Sequence, residues 1–204
     1  MTQNQDIDEV APGLCIWSAY DPSVKVDLFS TALATPSGTF LVDPIHLAPA
    51  SLLRLRTNRI LAGIVATNVN HARAAIEFAE SFSVPLYVHD QLCGAPDFPG
   101  ATQASEGTRI DNELAVIMID GGPLGELALH HDRNRGTLII GDALTNLTPN
   151  GLEFLPAKYC RDSKLMRLSL KKLLNYPFER MFFAHGTPIL SSAKRRLEQL
   201  LAAV

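Results

Sequence analysis

A short apolar strand that runs directly into a polar turn and then into a helix is the feature that most constrains the fold of this chain. Residues 60–65 are apolar, and residues 66–75 carry the polar side chains of Thr67, Asn68, Asn70, His71 and Arg73. Apolar residues then recur at helical spacing as far as Phe82, which predicts a helix packed on a sheet. Ligand sites of α/β proteins favour such strand ends. The sequence therefore predicts a ligand site at residues 67–73.

Strand patterns occupy both halves of the chain. Apolar and aromatic runs bounded by Gly, Pro and Asp predict strands at residues 14–20, 26–35, 39–43, 60–65, 85–89, 114–119, 125–131, 136–141 and 180–184. Helical spacing predicts helices at residues 48–56 and 72–82, from Asp162 or Ser163 to Pro177, and after Ser191 or Ser192. We expect residues 1–9 to be flexible and residues 90–112 to form an irregular loop over a pocket. These patterns fit two packed sheets with helices outside, although periodicity alone leaves other α/β layouts open.

Composition limits the class of protein and its partners. The 204 residues are 47% hydrophobic, which suffices for one core and predicts a single domain over residues 1–204. No apolar run approaches the roughly 20 residues of a membrane span, and residues 1–9 lack the pattern of a secretory leader. A net charge of -3 gives no reason to expect nucleic acid or an anionic membrane surface as a partner. Three widely spaced cysteines predict no disulfide framework, so we expect a cytoplasmic protein.

Four segments, in order along the chain, resemble the metallo-β-lactamase superfamily. Residues 40–44 resemble its early strand that ends in Asp, and residues 67–73 occupy the position of its main metal motif. Residues 138–143 resemble the strand that ends in the metal-bridging Asp, and residues 182–188 the strand that ends in the last ligand His. The resemblance covers the chain from Leu14 to its end. It implies an α/β (α+β) fold, a four-layer αββα sandwich whose active site lies at one edge between the sheets.

The metal ligands of that superfamily are largely replaced in this chain. In the motif Thr-His-x-His-x-Asp-His, the two separated His positions fall on Asn68 and Asn70, and the Asp and the last His fall on Ala72 and Arg73. A further ligand His, in a Gly-His turn before a strand, falls on Gly122. The resemblance therefore leaves Asp142 and His185 as residual metal-ligand positions. Catalytic zinc usually takes three protein ligands, so two ligands do not make that site.

These replacements lead to two main hypotheses about function. The first is a pocket formed by Asn68, Asn70, His71, Arg73, Asp142 and His185 that holds no cofactor, has negligible metallohydrolase activity and binds a small molecule. The second is a hydrolase of an ester, thioester or phosphoester with one Zn, Mn or Fe ion on Asp142, His185 and either His71 or His89. A third hypothesis, that the chain is a partner-binding protein, is supported only by the amphipathic pattern of the last helix. The sequence carries no signal for oligomeric state.

Individual side chains of the turn have specific expected roles. We expect Asn68 and Asn70 to hydrogen-bond the turn and the helix start, and His71 to stand at a variable position outside any metal site. An Asp left without a cation in a buried cavity is costly. Because the guanidinium group binds carboxylates with two parallel hydrogen bonds, the sequence predicts that Arg73 pairs with Asp142 in place of the metal.

Overall fold

The computed structural model describes residues 6–147 and 151–203. Within these residues the first half of the chain forms a seven-stranded sheet in the order β1 to β7. Its strands are β1 (Asp8–Ala11), β2 (Leu14–Asp21), β3 (Val26–Thr35), β4 (Gly38–Val42), β5 (Leu61–Val65), β6 (Leu86–His89) and β7 (Thr102–Ala104). Strands β1 to β4 are antiparallel neighbours, whereas β4 to β7 pair in parallel. The parallel strands are linked by helices α1 (Pro49–Asn58) and α2 (Ala75–Phe82).

The second half of the described chain forms a five-stranded sheet and a separate hairpin. The strand order is β14-β11-β10-β9-β8, with β8 (Arg109–Ile110), β9 (Leu114–Met118), β10 (Leu127–His131), β11 (Thr137–Ile140) and β14 (Arg180–Phe183). Strands β11 and β14 are parallel. The hairpin pairs β12 (Leu144–Leu147) with β13 (Gly151–Phe154), and helices α3 (Ser163–Leu170) and α4 (Ala193–Ala202) complete the fold. No helix of the described chain is long and apolar enough to span a membrane.

Alternating side chains of the buried strands divide the core into three apolar clusters. Phe40 and Val65 of the first sheet share a cluster with Val116 and Phe182 of the second, which places this cluster between the sheets. A second cluster packs α1 and α2 on the other face of the first sheet, and a third packs α3 and α4 on the other face of the second sheet. Because the period of side chains along a strand is two, each sheet can bury both of its faces in this way. The predicted four-layer αββα sandwich is confirmed.

Several local predictions differ from the structure. The segment predicted to be flexible enters the first sheet at Asp8, and residues 1–5 lie outside the described residues. The predicted irregular loop, residues 90–112, contains β7 and β8, and the paired strands β12 and β13 are absent from the predicted strands. Strands of two to four residues are too short to show alternation, so these elements depend on pairing with distant strands.

Candidate functional site

The candidate site lies at one edge of the sandwich, where four strands of the two sheets end. Asp43 follows β4, the turn containing His71 follows β5, Asp142 follows β11 and His185 follows β14. Strands β4 and β5 are parallel, as are β11 and β14. The carboxyl ends of parallel strands meet at the same edge of a sheet, which is where α/β proteins place their ligands. The predicted meeting of residues 67–73 with Asp142 and His185 is therefore present.

His71 occupies the centre of this edge and is buried between two carboxylates. It closes a 3-10 turn, Val69–His71, in which the Asn68 side chain accepts a hydrogen bond from the Asn70 backbone N–H at 2.8 Å. Its Nδ1 lies 3.0 Å from Asp43 Oδ2 and its Nε2 lies 3.1 Å from Asp142 Oδ1. The Thr67 hydroxyl is 2.8 Å from the same Nδ1. The predicted pocket included His71, and the tight turn directs its ring into that pocket. The sequence placed His71 outside any metal site, whereas the ring lies with Asp142 and His185 in a group of ligand-type side chains.

The second imidazole of the site converges on the same carboxylate oxygen. His185 Nε2 lies 3.1 Å from Asp142 Oδ1, and its Nδ1 lies 3.3 Å from the backbone carbonyl oxygen of Asp27. Ligand-type atoms of His71, Asp142 and His185 all lie within 4.8 Å of one another. Burial alone would raise the pKa of Asp142, but the charge of His71 and hydrogen bonds from both imidazoles hold it well below its usual value. Asp142 is therefore a carboxylate at neutral pH.

The two asparagines hold the other side of this carboxylate. Asn68 Nδ2 donates to Asp142 Oδ2 at 3.1 Å, and Asn70 Nδ2 donates to the same oxygen at 3.3 Å. The predicted contact with the turn is made by the Asn68 side chain, which caps the Asn70 N–H, whereas the Asn70 side chain bonds Asp142 instead. In addition, they fix the Asp142 carboxylate so that Oδ1 faces the imidazoles.

Glu126 is a member of the site to which the sequence analysis assigned no role. Its Oε2 accepts a hydrogen bond from Asn68 Nδ2 at 2.6 Å, and its Oε1 accepts one from the Ala143 backbone N–H at 2.8 Å. Burial and the nearby charge of Asp142 raise its pKa to about 8. A Cβ atom at Gly122, the position of a missing ligand His, would lie 3.0 Å from the Glu126 Cγ, so this side chain fills the space beside Gly122. Glu126 directly precedes β10, and no local motif marks it as a member of the site.

Arg73 does not form the predicted pair with Asp142. Its Nη1 donates to the backbone carbonyl oxygens of Phe29 at 2.9 Å and Asp43 at 3.1 Å. Among the described residues, the ion pairs of Asp142 are made with His71 and His185. Arg73 has a positive φ of 33°, and its side chain reaches Phe29 within β3 and Asp43 after β4 instead of the carboxylate of Asp142. The prediction of a direct Arg73–Asp142 pair is wrong, and His71 is the cation in contact with Asp142.

Double-mutant cycles should distinguish these two cations. We expect a coupling free energy of about 1 kcal/mol or more between His71→Gln and Asp142→Asn, because the side chains touch and are buried. The cycle between Arg73→Met and Asp142→Asn should give a clearly smaller value. Urea unfolding of chelator-treated protein measures all variants. A larger coupling for Arg73 than for His71 would contradict the assignment.

Stability of the metal-free protein should fall as the pH rises. Burial would lower the pKa of His71, but the charges of Asp43 and Asp142 outweigh it and raise the pKa from 6.5 to about 9. A group with a raised pKa stabilises the fold below its unfolded value and loses that contribution as the pH passes the folded value. We expect the loss of the His71 contribution to lower the free energy of unfolding by roughly 3 kcal/mol between pH 6.5 and pH 9.

The matched variants for this measurement are His71→Gln and His46→Gln. The His46 side chain is exposed and lies 3.4 Å from Glu77, away from the buried site, so its variant should keep the drop. His71→Gln should remove most of the drop above pH 8, beyond the range in which Glu126 also contributes. A wild-type stability that is independent of pH over this range would contradict the buried His71 cation.

A cleft of about 390 Å³ adjoins the site. Its lining includes His89, Gln91, Gly121, Gly122, Glu126, Arg161 and Leu165. His89 therefore belongs to the cleft wall and is not a member of the group around Asp142. Its Nδ1 lies 2.7 Å from Asp90 Oδ1. The sequence left either His71 or His89 as the third metal ligand. The structure places His71, and not His89, beside Asp142 and His185.

Two facing sheets flanked by helices, with His71, Asp142 and His185 at one edge, form the arrangement that the resemblance to the metallo-β-lactamase superfamily implies. Residues 9–204 match the family model of the metallo-beta-lactamase superfamily, and the chain belongs to this superfamily. Solved structures agree at the level of fold. The DIM-1 metallo-beta-lactamase has a TM-score of 0.75 at 16% identity, with 98% of each chain covered. The metallo-beta-lactamase from Pontibacter korlensis also has a TM-score of 0.75 at 16% identity, with 98% of this chain and 100% of that chain covered.

A further match is a metallo-beta-lactamase family protein from Thermus thermophilus. It has a TM-score of 0.66 at 18% identity, with 96% of this chain and 80% of that chain covered. No curated protein sequence matches this chain significantly. The comparisons therefore establish the superfamily and the fold, and the activity has to be argued from the site.

The donor set of this chain does not fit a two-metal centre. The superfamily positions at residues 68, 70, 72, 73 and 122 hold Asn, Asn, Ala, Arg and Gly. The side-chain N–H groups of Asn68 and Asn70 already donate to carboxylates. One group of three ligand-type side chains, His71, Asp142 and His185, is present among the described residues. Two imidazoles and a carboxylate suit Zn, Fe or Mn, so the site fits one divalent ion.

Proposed function

We propose that this protein is a hydrolase that uses one divalent metal ion held by His71, Asp142 and His185. One observation carries the proposal: both imidazoles place Nε2 at 3.1 Å from the same Asp142 oxygen while their Nδ1 atoms bond elsewhere. The sequence alone favoured a pocket without a metal, because only two ligand positions were recognised. The inward His71 supplies the third ligand that a catalytic zinc site usually has.

The spacing of the three ligand atoms supports this proposal. Around a tetrahedral ion with bonds of roughly 2.0–2.1 Å, neighbouring ligand atoms lie roughly 3.3 Å apart. The two measured Nε2 to Oδ1 distances are both 3.1 Å. Two of the three ligand spacings are therefore close to those of such a site, and the three ligand-type atoms all lie within 4.8 Å of one another.

The outer contacts of the two imidazoles are those that metal-binding histidines make. Such a histidine almost always donates its second ring N–H to a carboxylate, a backbone carbonyl or water. His71 has Asp43 at its Nδ1, and His185 has the Asp27 carbonyl oxygen at its Nδ1. These acceptors fix the ring orientation and leave each Nε2 available for an ion.

The remaining residues of the site define how a substrate would be handled. A bound ion would polarise a carbonyl or phosphoryl group and make water a better nucleophile. Asn68 and Asn70 hold one oxygen of Asp142 and keep the other directed at the imidazoles. Glu126 stands between this carboxylate and the cleft, and its raised pKa suits a group that donates or accepts a proton near neutrality. The substrate class supported by this arrangement is an ester, thioester or phosphoester.

Metal-dependent turnover of simple reporters tests the proposal. Protein purified without chelator would be stripped with a chelator and reloaded with Zn, Mn or Fe(II). It would then be assayed with a nitrophenyl acetate, a thioester and a nitrophenyl phosphodiester. We expect turnover of at least one class that disappears on stripping and returns on reloading. His185→Gln should lower it on the order of 100-fold, as loss of a metal ligand does, whereas His46→Gln should not. Absence of metal-dependent turnover in all three classes would contradict the proposal.

A second candidate, a metal-free binding protein for a small molecule, is favoured by the charges of the site. The Arg73 cation and a protonated His71 balance the carboxylates of Asp43 and Asp142 without an ion. Arg73 donates a hydrogen bond to the Asp43 carbonyl oxygen after β4, and His71 contacts the carboxylates of both Asp43 and Asp142. Protein that carries no metal and shows no turnover would favour this candidate.

We also propose that the protein acts in the cytoplasm on a small-molecule ligand and not on nucleic acid or a membrane. The support is the same as at the level of sequence: three cysteines and a net charge of -3. All three thiols, those of Cys15, Cys93 and Cys160, are free.

A further inference from the structure

The lining of the cleft beside the site includes an arginine whose guanidinium group has no partner among the described residues. Arg161 lines the cleft, and its backbone N–H donates to the Gly122 carbonyl oxygen at 3.4 Å. Its guanidinium group makes no hydrogen bond or ion pair with any residue in the described ranges. A free guanidinium at the wall of a cleft is suited to bind a carboxylate or phosphate group with two parallel hydrogen bonds.

The other charged groups of the cleft wall already have partners. Asp120 lies 2.9 Å from Lys172 Nζ, and Asp162 Oδ1 accepts the backbone N–H groups of Lys164 and Leu165 at the start of α3. Glu126 is bonded to Asn68 and Ala143. Arg161 is therefore the charged side chain of the cleft lining that remains free to bind a ligand.

The loop that contains Gly121 and Gly122 is held close to Arg161 and the start of α3. The Gly121 carbonyl oxygen accepts the Asp162 N–H at 2.9 Å, and a Cβ at Gly121 would clash with the Asp162 carbonyl oxygen. Only glycine fits there. Within the described part of the chain, the backbone N–H groups of Gly121 and Gly122 have no acceptor, so they add two donors to this part of the wall.

The rim and the inner end of the cleft differ in character. Leu165 of α3 lines the cleft and is 44% exposed, so it offers an apolar surface. At the inner end, Glu126 is linked through Asn68 Nδ2 to Asp142. A ligand that fills the cleft thus reaches from Arg161 and Leu165 to Glu126, which is connected to Asp142 through the Asn68 side chain.

We propose that this cleft binds a small organic anion, with its carboxylate or phosphate group on Arg161 and the Gly121 and Gly122 amides and its apolar part on Leu165. The inference deepens the proposed function. It rests on that function in one respect, because the proposed metal site determines which end of the ligand reacts. Binding itself requires only the cleft, so it is expected with and without metal.

The test is an NMR titration of the backbone amides with three probes: butyrate, its uncharged analogue butyramide, and inorganic phosphate. We expect saturable shifts of Gly121, Gly122 and Leu165 with an anion, and binding at least 10-fold weaker for butyramide than for butyrate. Tighter binding of butyrate than of phosphate would assign the ligand as a carboxylate, and the reverse order would assign it as a phosphoester. Arg161→Gln should weaken anion binding at least 10-fold. Arg195→Gln, an exposed arginine of α4, is the matched control and should not.

Three outcomes would overturn the inference: no saturable shift with either anion, equal affinity of the wild type and Arg161→Gln, or binding that appears only after metal is added. The last outcome would put the anion on the metal ion and leave the proposed function standing. Conversely, anion binding at Arg161 by a protein that has no metal-dependent turnover would support the cleft and contradict the proposed hydrolase.

Discussion

Replacing Asp43 by alanine is expected to destabilise the fold by about 3–5 kcal/mol, as removal of one partner of a buried charged pair does. The Asp43 carboxylate accepts hydrogen bonds from the Thr67 backbone N–H at 2.8 Å and from the Thr67 hydroxyl at 2.6 Å. It also faces His71 Nδ1 at 3.0 Å. The residue has a φ of 49°, which Asp tolerates better than Ala. Urea unfolding at neutral pH, followed by circular dichroism, measures the loss.

Two variants make this experiment specific. Asp43→Asn keeps an acceptor oxygen and the tolerance of positive φ, so its loss should be clearly smaller than that of Asp43→Ala. Asp97→Ala removes an exposed carboxylate and should change the stability by about 0.5 kcal/mol or less. A loss below about 1 kcal/mol for Asp43→Ala would show that the Asp43, Thr67 and His71 contacts do not stabilise the site.

Replacing Asp142 by alanine is expected to have the largest effect on activity. Asp142 Oδ1 is the atom on which both Nε2 atoms converge, and no other carboxylate shares their group in the described chain. We expect metal affinity and metal-dependent turnover both to fall on the order of 100-fold or more, since loss of an outer-shell partner alone costs 10–100-fold. Turnover assays and metal titration of the purified variant measure the two effects.

The control for Asp142→Ala is Asp132→Ala, which removes an exposed carboxylate paired with Arg109 at 3.2 Å. It should leave both metal affinity and turnover unchanged. Because removal of Asp142 also frees two imidazoles, the unfolding free energy of each variant is compared first, so that a folding defect is recognised. A folded Asp142→Ala protein with wild-type turnover would exclude Asp142 from the site.

The main strands and helices could be predicted because their patterns are local, whereas their layered arrangement followed from the resemblance to the metallo-β-lactamase superfamily. Strand β3 (Val26–Thr35) and helix α2 (Ala75–Phe82) were predicted almost to their ends. The positions of Asp142 and His185 were also accessible, since each directly follows an apolar strand and parallel strands bring such residues to one edge. Sequence patterns predict a site residue correctly where a buried apolar strand is followed by a polar turn.

The inner arrangement of the site could not be predicted from sequence because it depends on single dihedral angles and distant partners. The 3-10 turn at Val69–His71 rotates His71 into the site, and the positive φ of Arg73 directs that side chain to β3 and β4. A shift of one position in a turn reverses which of two neighbouring side chains faces inward. Glu126 joins the site through Asn68 and Ala143, residues far away in sequence, so no local motif indicates it.

The metal content of protein purified without chelator tests the central claim most directly. We expect one Zn, Mn or Fe ion per chain, and loss of that ion in His71→Gln under the same purification, while His46→Gln retains it. Two ions per chain would contradict the claim, because the residues at positions 68, 70 and 122 would then have to act as ligands. No ion in the wild type, or an ion that remains in His71→Gln, would contradict the assignment of His71, Asp142 and His185 as the metal site.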